Sequence, residues 1–292
     1  MTLTDDRLAA LAARGDPIHA WYSYQMIRDT LDSTKLDRLS YVIYPQGSYA
    51  NKTNISADSD VDLVIALRSA FFANKEELTE RELEEYEKYY QQADITWRHF
   101  REAVVDVLRS WYLVQEKSKC VKVRSNLIRL PADVLVALDH RHYKAFPGFL
   151  EQIHIDGVQF YTSQEVKIIN FPKEHIRACK SKDDRVSGRY RPVVRIAKNV
   201  RNMLIGGDET GLTAGSAPSY FLESLLWNVP DQCFRGDLPR AYRNAVQWLQ
   251  ENQDKLADMK FPNQMAKLFG QAQDTAWRQS AALALIEGLR SA

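Results

Sequence analysis

The 292-residue sequence contains only three cysteines, and none of them lies near another. Cys120, Cys179 and Cys233 form neither a CxxC pair nor a cluster with histidine. Disulfide-rich secreted domains and structural zinc sites both need such groupings. The sequence therefore indicates neither a disulfide framework nor a zinc module, and we expect three plain buried thiols.

Long apolar runs and a signal peptide are also missing. No stretch approaches the length of a membrane span, and the N-terminus, Met-Thr-Leu-Thr-Asp-Asp-Arg, lacks a basic segment followed by an apolar one. A content of 45% apolar and 26% charged residues is that of a soluble globular protein. We therefore expect a cytoplasmic protein with no membrane partner.

The charges are balanced. The sequence has 39 Lys and Arg against 38 Asp and Glu, which gives a formal net charge of +1. Proteins that bind long nucleic acids neutralise many phosphates with a basic surface. The balance argues against such a protein and predicts an activity that needs no DNA or RNA.

Two aspartates open a predicted strand. Asp60 and Asp62 flank Val61 at the start of the apolar run 61–67. Residues two apart in a strand point to the same face, so the two carboxylates lie together while Val61 and Leu63 enter the core. Carboxylates this close repel each other, and oxygen ligands of this kind suit Mg²⁺. The pair predicts a magnesium site.

A short turn of small residues precedes these aspartates. Gly47 and Ser48 follow the strand candidate 41–44. Glycine has no Cβ to obstruct close approach, and exposed backbone N–H groups together with a hydroxyl suit phosphate. The turn predicts a phosphate-binding segment.

A third aspartate lies within an apolar segment, Leu130-Pro-Ala-Asp-Val-Leu-Val-Ala-Leu138, in a strand predicted over residues 127–138. Burying the carboxylate of Asp133 is costly unless it is paired, and a metal ion shared with Asp60 and Asp62 would compensate. The alternative is a surface-facing aspartate on an edge strand next to Pro131. The sequence leaves both interpretations open.

Hydrophobic periodicity predicts mixed elements first and helices later. Helices are expected at 16–31, after a short one near Asp5, and at 95–113; 75–92 is expected to be a solvated helix or loop. Strands are expected at 120–124 and in a hairpin with Asp156-Gly157 as its two-residue turn. Beyond Asn170-Phe-Pro172 the strand signals stop, and we place a domain boundary after residue 166.

Two helices of the C-terminal part carry polar side chains beside an apolar stripe. The first opens at Arg191-Pro192 with the stripe Val193, Ile196, Val200 and Met203, and its row Arg191, Arg195, Lys198 and Asn202 is either solvated or functional. The second, 217–226, has Pro218 in its first turn and the core stripe Leu222, Leu225, Leu226 and Val229. Its Ser219 lies where helix N–H groups attract phosphate, whereas Tyr220 alone is uninformative.

These pieces resemble a known superfamily. Gly47-Ser48, then Asp60-Val-Asp62, then Asp133 match the polymerase-β-type nucleotidyltransferases. The surrounding segments look like the bacterial cGAS/DncV-like nucleotidyltransferases (CD-NTases), especially the E clade, CdnE: Gln46-Gly-Ser-Tyr-Ala-Asn-Lys-Thr-Asn-Ile55, Ser59-Asp-Val-Asp62, Leu130-Pro-Ala-Asp133, Asn170-Phe-Pro172 and Pro218-Ser-Tyr-Phe-Leu-Glu223. The resemblance spans from about Trp21 to Trp248.

The resemblance implies an α+β fold in two domains. Residues 1–166 would form a polymerase-β-like core, a mixed sheet with helices and an N-terminal helix, and residues 167–292 a helical lobe. The implied enzyme joins nucleoside triphosphates, here UTP and ATP, into a cyclic dinucleotide. That messenger would activate a separate effector protein in CBASS anti-phage defence. We expect a monomer.

The resemblance also implies roles for individual residues. Asp60 and Asp62 would hold two Mg²⁺ ions, with Mn²⁺ as the alternative, and Asp133 would bind the ion that activates the attacking hydroxyl. The expected nucleotide-binding residues are Gln46, Gly47, Ser48, Asn170, Lys198, Ser219 and Tyr220. Of these, Ser48, Lys198 and Ser219 would contact phosphates and Tyr220 would stack on a base.

Base choice depends on Asn170. In the E clade an asparagine at this lid position goes with uracil recognition, and an amide offers a pyrimidine both a donor and an acceptor. The alternative is that Asn170 only caps the turn before Pro172. We expect cyclic UMP-AMP or cyclic di-UMP; the alternatives are a purine-only product, a linear oligonucleotide, or a non-catalytic nucleotide-binding protein.

Overall fold

The computed structural model describes residues 3–34, 36, 39–57, 60–91, 93–205, 212, 215, 217–270 and 277–291. The chain forms two compact units. We call Pro17–Gly47 with Ser59–Lys173 the sheet unit, and Met1–Asp16 with Ser48–Asp58 and Glu174–Ala292 the helical unit.

Ten α-helices and seven strands lie within the described ranges. The helices are α1 (Asp5–Leu11), α2 (Pro17–Ser33), α3 (Gly47–Asn51), α4 (Glu80–Tyr89), α5 (Trp97–Trp111), α6 (Pro172–Arg185), α7 (Tyr190–Ile205), α8 (Ser219–Trp227), α9 (Leu238–Glu251) and α10 (Gln279–Ser291). The strands are β1 (Tyr41–Pro45), β2 (Val61–Asn74), β3 (Val114–Glu116), β4 (Val121–Val123), β5 (Ala132–Ala145), β6 (Ile153–Tyr161) and β7 (Lys167–Asn170).

The strands form one mixed sheet in which β2 and β5 are central. The order is β1-β2-β5-β4-β3, and β6 pairs with both β5 and β7. Only the pairing of β2 with β5 is parallel among the described strands. A parallel pair needs a long crossover, and here the crossover carries α4 and α5. The central position of β2 is reflected in its burial, since Leu63 to Leu67 are entirely buried.

The helical unit has its own core, and its helices follow the predicted stripes. Leu222, Leu225, Leu226 and Val229 are fully buried, as predicted for the second stripe. On α7, Val193, Ile196 and Val200 are fully buried, but Met203 is 37% exposed and Leu204 packs on the core instead. A helix turns once in 3.6 residues, so the position after Val200 that faces the core is 204 rather than 203.

Several predicted elements are confirmed, and one strand begins later than expected. Helices α1, α2, α4 and α5 and strands β1 and β4 lie where periodicity placed them. The strand expected over 127–138 begins at Ala132, and Leu127 is fully exposed. Among the helices that the structure describes, none is both long enough and apolar enough to cross a membrane.

The predicted hairpin turn at Asp156-Gly157 is wrong. Both residues lie inside β6, where Gly157 pairs with His140 of β5, and the chain turns earlier, between the ends of β5 and β6. A Cβ on Gly157 would lie 2.8 Å from the carbonyl oxygen of Asn170 and 2.9 Å from the ring of Phe171. Close approach of the neighbouring chain, rather than a turn, therefore requires glycine here.

The compact units do not coincide with the predicted domains. Strand β7 lies beyond residue 166 yet pairs with β6, so the sheet unit continues to Lys173. Segments 1–16 and 48–58 pack with the C-terminal helices. The organisation into domains 1–166 and 167–292 stays a prediction.

Candidate active site

Asp62 and Asp133 are direct neighbours on the two central strands. Their Cα atoms are partners in the parallel pairing of β2 with β5, and Asp60 directly precedes β2. On the other side of β5, Lys122 of β4 is the partner of Asp133. Directly paired residues share a face, so Lys122, Asp133 and Asp62 form a row across three strands. We call Asp60, Asp62 and Asp133 the acid site.

The opposite face of the same strands explains this orientation. Val61, Ala132 and Val123, each one residue from a member of the row, are buried in the core. Alternation along the strands then turns the polar row to the other face. Because β5 is paired on both sides, the alternative of an edge strand for Asp133 is wrong.

Asp133 has one carboxylate oxygen, the buried Oδ1, that is not hydrogen-bonded to any described side chain or backbone group. Burial raises the pKa of Asp133, Lys122 opposes the shift, and Asp60 adds to it. Orphaned buried oxygens are rare in folded proteins. The arrangement therefore favours a cation at Asp133.

A lysine already contacts the acid site. The Nζ of Lys122 lies 2.5 Å from Oδ2 of Asp60, and both side chains are partly exposed.

Cys120 lies next to Asp133, and burial, followed by Asp133 and Asp62, raises the pKa of its thiol to about 12. Cys120 and Cys233 are only partly buried, so the expectation of a plain buried thiol holds for Cys179 alone.

Three carboxylates on adjacent strands fit a divalent ion by chemistry and placement, because hard cations such as Mg²⁺ take oxygen ligands. A tighter group lies elsewhere. Within the described ranges, only His175, Cys179 and Glu223, in the helical unit, bring three ligand atoms of His, Cys, Asp or Glu within 4.8 Å of one another. In this group, Nε2 of His175 is already hydrogen-bonded to Oε2 of Glu223 at 3.2 Å.

Gly47 and Gln46 contact the acid site directly. The backbone N–H of Gln46 donates to the carbonyl oxygen of Asp62 at 2.9 Å. Gly47 has φ 63°, and a Cβ there would lie 2.2 Å from Oδ2 of Asp62. Glycine is required both by the left-handed backbone and by the carboxylate. The predicted turn is in fact the start of the short helix α3.

Asn170 is the last residue of β7 and pairs with Val158. Its side-chain amide makes no hydrogen bond to any other described residue, so no contact supports its alternative role as a cap of the turn before Pro172. The carbonyl oxygen of Asn170 and the ring of Phe171 both lie against Gly157. The backbone position of Asn170 is thus set by its packing against Gly157, and its side-chain amide can still form hydrogen bonds.

The other predicted nucleotide-binding residues belong to the helical unit. Ser48 accepts a hydrogen bond from Thr53 N at its carbonyl oxygen. Lys198 is fully buried, and its Nζ donates to the carbonyl oxygen of Thr53 at 3.1 Å. Ser219 begins α8. Tyr220 is 41% exposed and stacks on Phe261 with ring centroids 5.4 Å apart.

The basic row of α7 is not solvated. Arg191 pairs with Asp183 at 3.2 Å, and Arg195 donates to the carbonyl oxygens of Ala12 and Lys52. These contacts lie within the helical unit. The structure thus gives the row a packing role, and the assignment of Lys198 to the triphosphate stays a prediction.

Glu223 is a functional candidate that sequence reasoning missed. Its buried carboxylate accepts hydrogen bonds from Asn51 at 3.0 Å, from Thr53 and from His175 at 3.2 Å. Burial tends to raise the pKa of Glu223, but His175, Thr53 and Lys198 lower it overall. Burial opposes protonation of His175, yet Cys179 and Glu223 raise its pKa to about 10. The sequence signal was an acid inside the apolar helix 217–226.

Comparison with known proteins decides the family. Residues 177–292 match the cGAS/DncV-like nucleotidyltransferase C-terminal helical domain. The cyclic nucleotide synthase CdnE01 of Staphylococcus haemolyticus is 34% identical over 252 residues, which cover 84% of this chain and 83% of that protein. The chain belongs to the CdnE cyclic nucleotide synthases.

A second CdnE relative supports the fold as well. The cyclic UMP-AMP synthase of Rhodothermus marinus is 34% identical over 275 residues, 93% of this chain and 91% of that protein. The structure of Rhodothermus marinus CdnE c-UMP-AMP synthase with Apcpp and Upnpp superposes with a TM-score of 0.87 at 32% identity, covering 99% of this chain and 95% of that one. The predictions of a CdnE nucleotidyltransferase and of its α+β fold are confirmed.

Proposed function

We propose that this CdnE enzyme joins two nucleoside triphosphates into a cyclic dinucleotide that contains uridine, cyclic UMP-AMP or cyclic di-UMP, using two Mg²⁺ ions. The observation that carries the proposal is the pairing of Asp62 with Asp133 on adjacent parallel strands, with Asp60 directly before the first. The name of the Rhodothermus marinus relative, a cyclic UMP-AMP synthase, supports the choice of product.

The acid site would perform the transfer. Bound Mg²⁺ would stabilise the charge that develops at the α-phosphorus and lower the pKa of the attacking ribose hydroxyl. Asp60, Asp62 and Asp133 would hold the ions, and Oδ1 of Asp133, which has no hydrogen-bond partner among the described residues, would accept the proton of the hydroxyl. A bond forms from the ribose oxygen to phosphorus, and the bond to pyrophosphate breaks. A second transfer closes the ring.

Other residues would bind and select the nucleotide. Gly47 leaves room beside Asp62, and Ser48, Lys198 and Ser219 are assigned to phosphates. Tyr220, which is 41% exposed, is assigned to stack on a base. The amide of Asn170, which has no hydrogen-bond partner within the described chain, is available to the edge of uracil.

The product would act as a messenger. We place the enzyme in the cytoplasm, where nucleoside triphosphates are found, as a monomer in CBASS defence, and its product activates a separate effector. The formal net charge of +1 gives no basic field, so nucleic acid is not needed for activity.

Labelled ATP, UTP, GTP and CTP, incubated with the protein and Mg²⁺, test the proposal. A product that resists phosphatase is expected, since a cyclic dinucleotide has no terminal phosphate. The double variant Asp60→Asn with Asp62→Asn should form none, because two of three ligands lose their charge. Phosphatase-sensitive products alone would assign linear synthesis instead, and equal activity in the double variant would remove the acid site from the reaction.

A further inference from the structure

Lys122 occupies a special place in the sheet. It is the middle residue of the three-residue strand β4, and its neighbours Val121 and Val123 are both fully buried. Its side chain therefore points to the face that carries the acid site, opposite Asp133 in register and 2.5 Å from Asp60. The ammonium of Lys122 thus contacts one carboxylate of the acid site, and its strand position is paired with that of a second.

The charges define what this lysine can do. Asp60, Asp62 and Asp133 carry up to three negative charges, and the ammonium of Lys122 supplies one positive charge at Asp60 Oδ2. An ion such as Mg²⁺ binds a carboxylate oxygen at about 2.1 Å, and two cations on one oxygen repel each other. A divalent ion at this oxygen therefore competes with the ammonium of Lys122.

We propose that Lys122 competes with the divalent ion for Asp60 and, once displaced, binds the anionic nucleotide. The inference rests on the proposed function of the acid site. It makes Lys122 a positioning residue: without metal it holds Asp60 in place, and with metal its ammonium becomes available to phosphate. Arrival of the metal and binding of the nucleotide are then coupled through one side chain.

Metal binding to the nucleotide-free protein tests the first half. Free Mn²⁺ is titrated by electron paramagnetic resonance against wild type, Lys122→Met and Lys122→Arg. Lys122→Met should bind Mn²⁺ about fivefold more tightly, the change expected when a partly exposed ion pair no longer competes. Lys122→Arg should stay near wild type, because the competing charge remains.

Lys144 provides a matched control. It lies on β5 of the same sheet and pairs with Glu77, outside the acid site. Lys144→Met should leave Mn²⁺ affinity unchanged. Equal or weaker Mn²⁺ binding by Lys122→Met would overturn the inference, whereas failure of wild type and Asp60→Asn to differ in Mn²⁺ affinity would overturn the proposed metal site itself. The two failures are thus distinguishable.

Steady-state kinetics test the second half. At saturating Mg²⁺, Lys122→Met should raise KM for nucleotide about tenfold with a smaller change in kcat, and Lys122→Arg should restore most of the loss. If Lys122 served only the packing of β4, KM would be the same in wild type, Lys122→Met and Lys122→Arg. Unchanged KM in Lys122→Met would therefore contradict the role in nucleotide binding.

Discussion

Asp133 lowers the stability of the folded protein and at the same time is suited to the proposed reaction. Its carboxylate lies on a central strand, half-buried, with one oxygen that has no partner among the described residues. Such a group destabilises the folded state when ionised. The same environment prepares it to hold a cation and to accept a proton.

Replacing Asp133 should separate stability from activity. Burial raises its pKa, so ionisation costs stability above the folded pKa, and the cost disappears below the unfolded value of about 4. Asp133→Asn should therefore be more stable than wild type at pH 7 but not at pH 3.5, while kcat falls about 10²-fold or more. Thermal unfolding at both pH values and the rate of product formation check this; lower stability at pH 7 would contradict it.

Gly47→Ala should disable the acid site beyond the cost of backbone strain. The left-handed φ of 63° should cost alanine about 1–2 kcal/mol of stability. The added Cβ would also push away Asp62, whose Oδ2 would be 2.2 Å from it. We expect Mn²⁺ binding and turnover to be lost.

Gly188→Ala is the control, because Gly188 has a similar φ of 76° and no described atom within 4 Å of an added Cβ. It should lose similar stability and keep activity. Equal activity in both variants would show that the approach of Gly47 to Asp62 does not matter.

Asn170→Ser should relax base selection. The substitution removes the paired donor and acceptor of the amide and shortens the side chain, which should weaken the proposed recognition of uracil by about 1–3 kcal/mol. Incorporation of ATP or GTP should rise relative to UTP when equimolar nucleotides compete, as resolved by mass spectrometry. An unchanged base ratio would contradict the assignment of Asn170 to uracil recognition.

At the scale of elements, one buried carboxylate fixes the segment that carries Ser48. Glu223 of α8 accepts hydrogen bonds from Asn51 and Thr53, and His175 of α6 donates to the same carboxylate. All these residues belong to the helical unit. The phosphate-binding segment is thus positioned by helices that follow it far along the chain.

Glu223→Gln should loosen this segment. Glutamine offers one acceptor oxygen to three donors and adds donors of its own, so unfolding should become easier by on the order of 3 kcal/mol. KM for nucleotide should rise as Ser48 loses its support. The exposed Glu287 of α10, which pairs with Arg290, provides the control Glu287→Gln, expected to be within about 0.5 kcal/mol of wild type. Similar losses in both variants would contradict the role of Glu223.

The ion pair of His175 with Glu223 predicts how stability depends on pH. His175 has a folded pKa raised to about 10, so its contribution is complete below its unfolded pKa of about 6.5 and is lost as pH rises towards 10. Wild type should lose stability across this interval, and His175→Gln should show a flatter dependence. Denaturant titrations at pH 6, 8 and 10 measure it, and parallel curves would contradict the ion pair.

Local hydrophobic patterns predicted the helices and strands that have a regular apolar period. They failed for residues whose role depends on contacts far away in the sequence. Alternation around Val61 placed Asp60 and Asp62 correctly on one face, and the apolar run around Asp133 identified its strand. Glu223 was missed because its partner Asn51 is 172 residues away. Asp156-Gly157 was misread as a turn because the atoms that require glycine there belong to β7 and the residue after it. No short-range pattern contains these contacts.

At the scale of the whole molecule, the balance of charges leads us to expect an activity that does not depend on nucleic acid. With a formal net charge of +1, the chain has no overall excess of basic residues to neutralise many phosphates. We expect the same rate of product formation with and without DNA or RNA at low salt. A strong rate increase on adding either would contradict this expectation.

The mass of the product tests cyclisation most directly. Purified protein is incubated with UTP, ATP and Mg²⁺, and the product is analysed by mass spectrometry beside the Asp60→Asn, Asp62→Asn double variant. Wild type should form a uridine-containing dinucleotide that is one water lighter than the linear dinucleotide with a single terminal phosphate, and the double variant should form none. Only linear products, only purine products, or the same product from both proteins would contradict a uridine-containing cyclic dinucleotide made at the acid site.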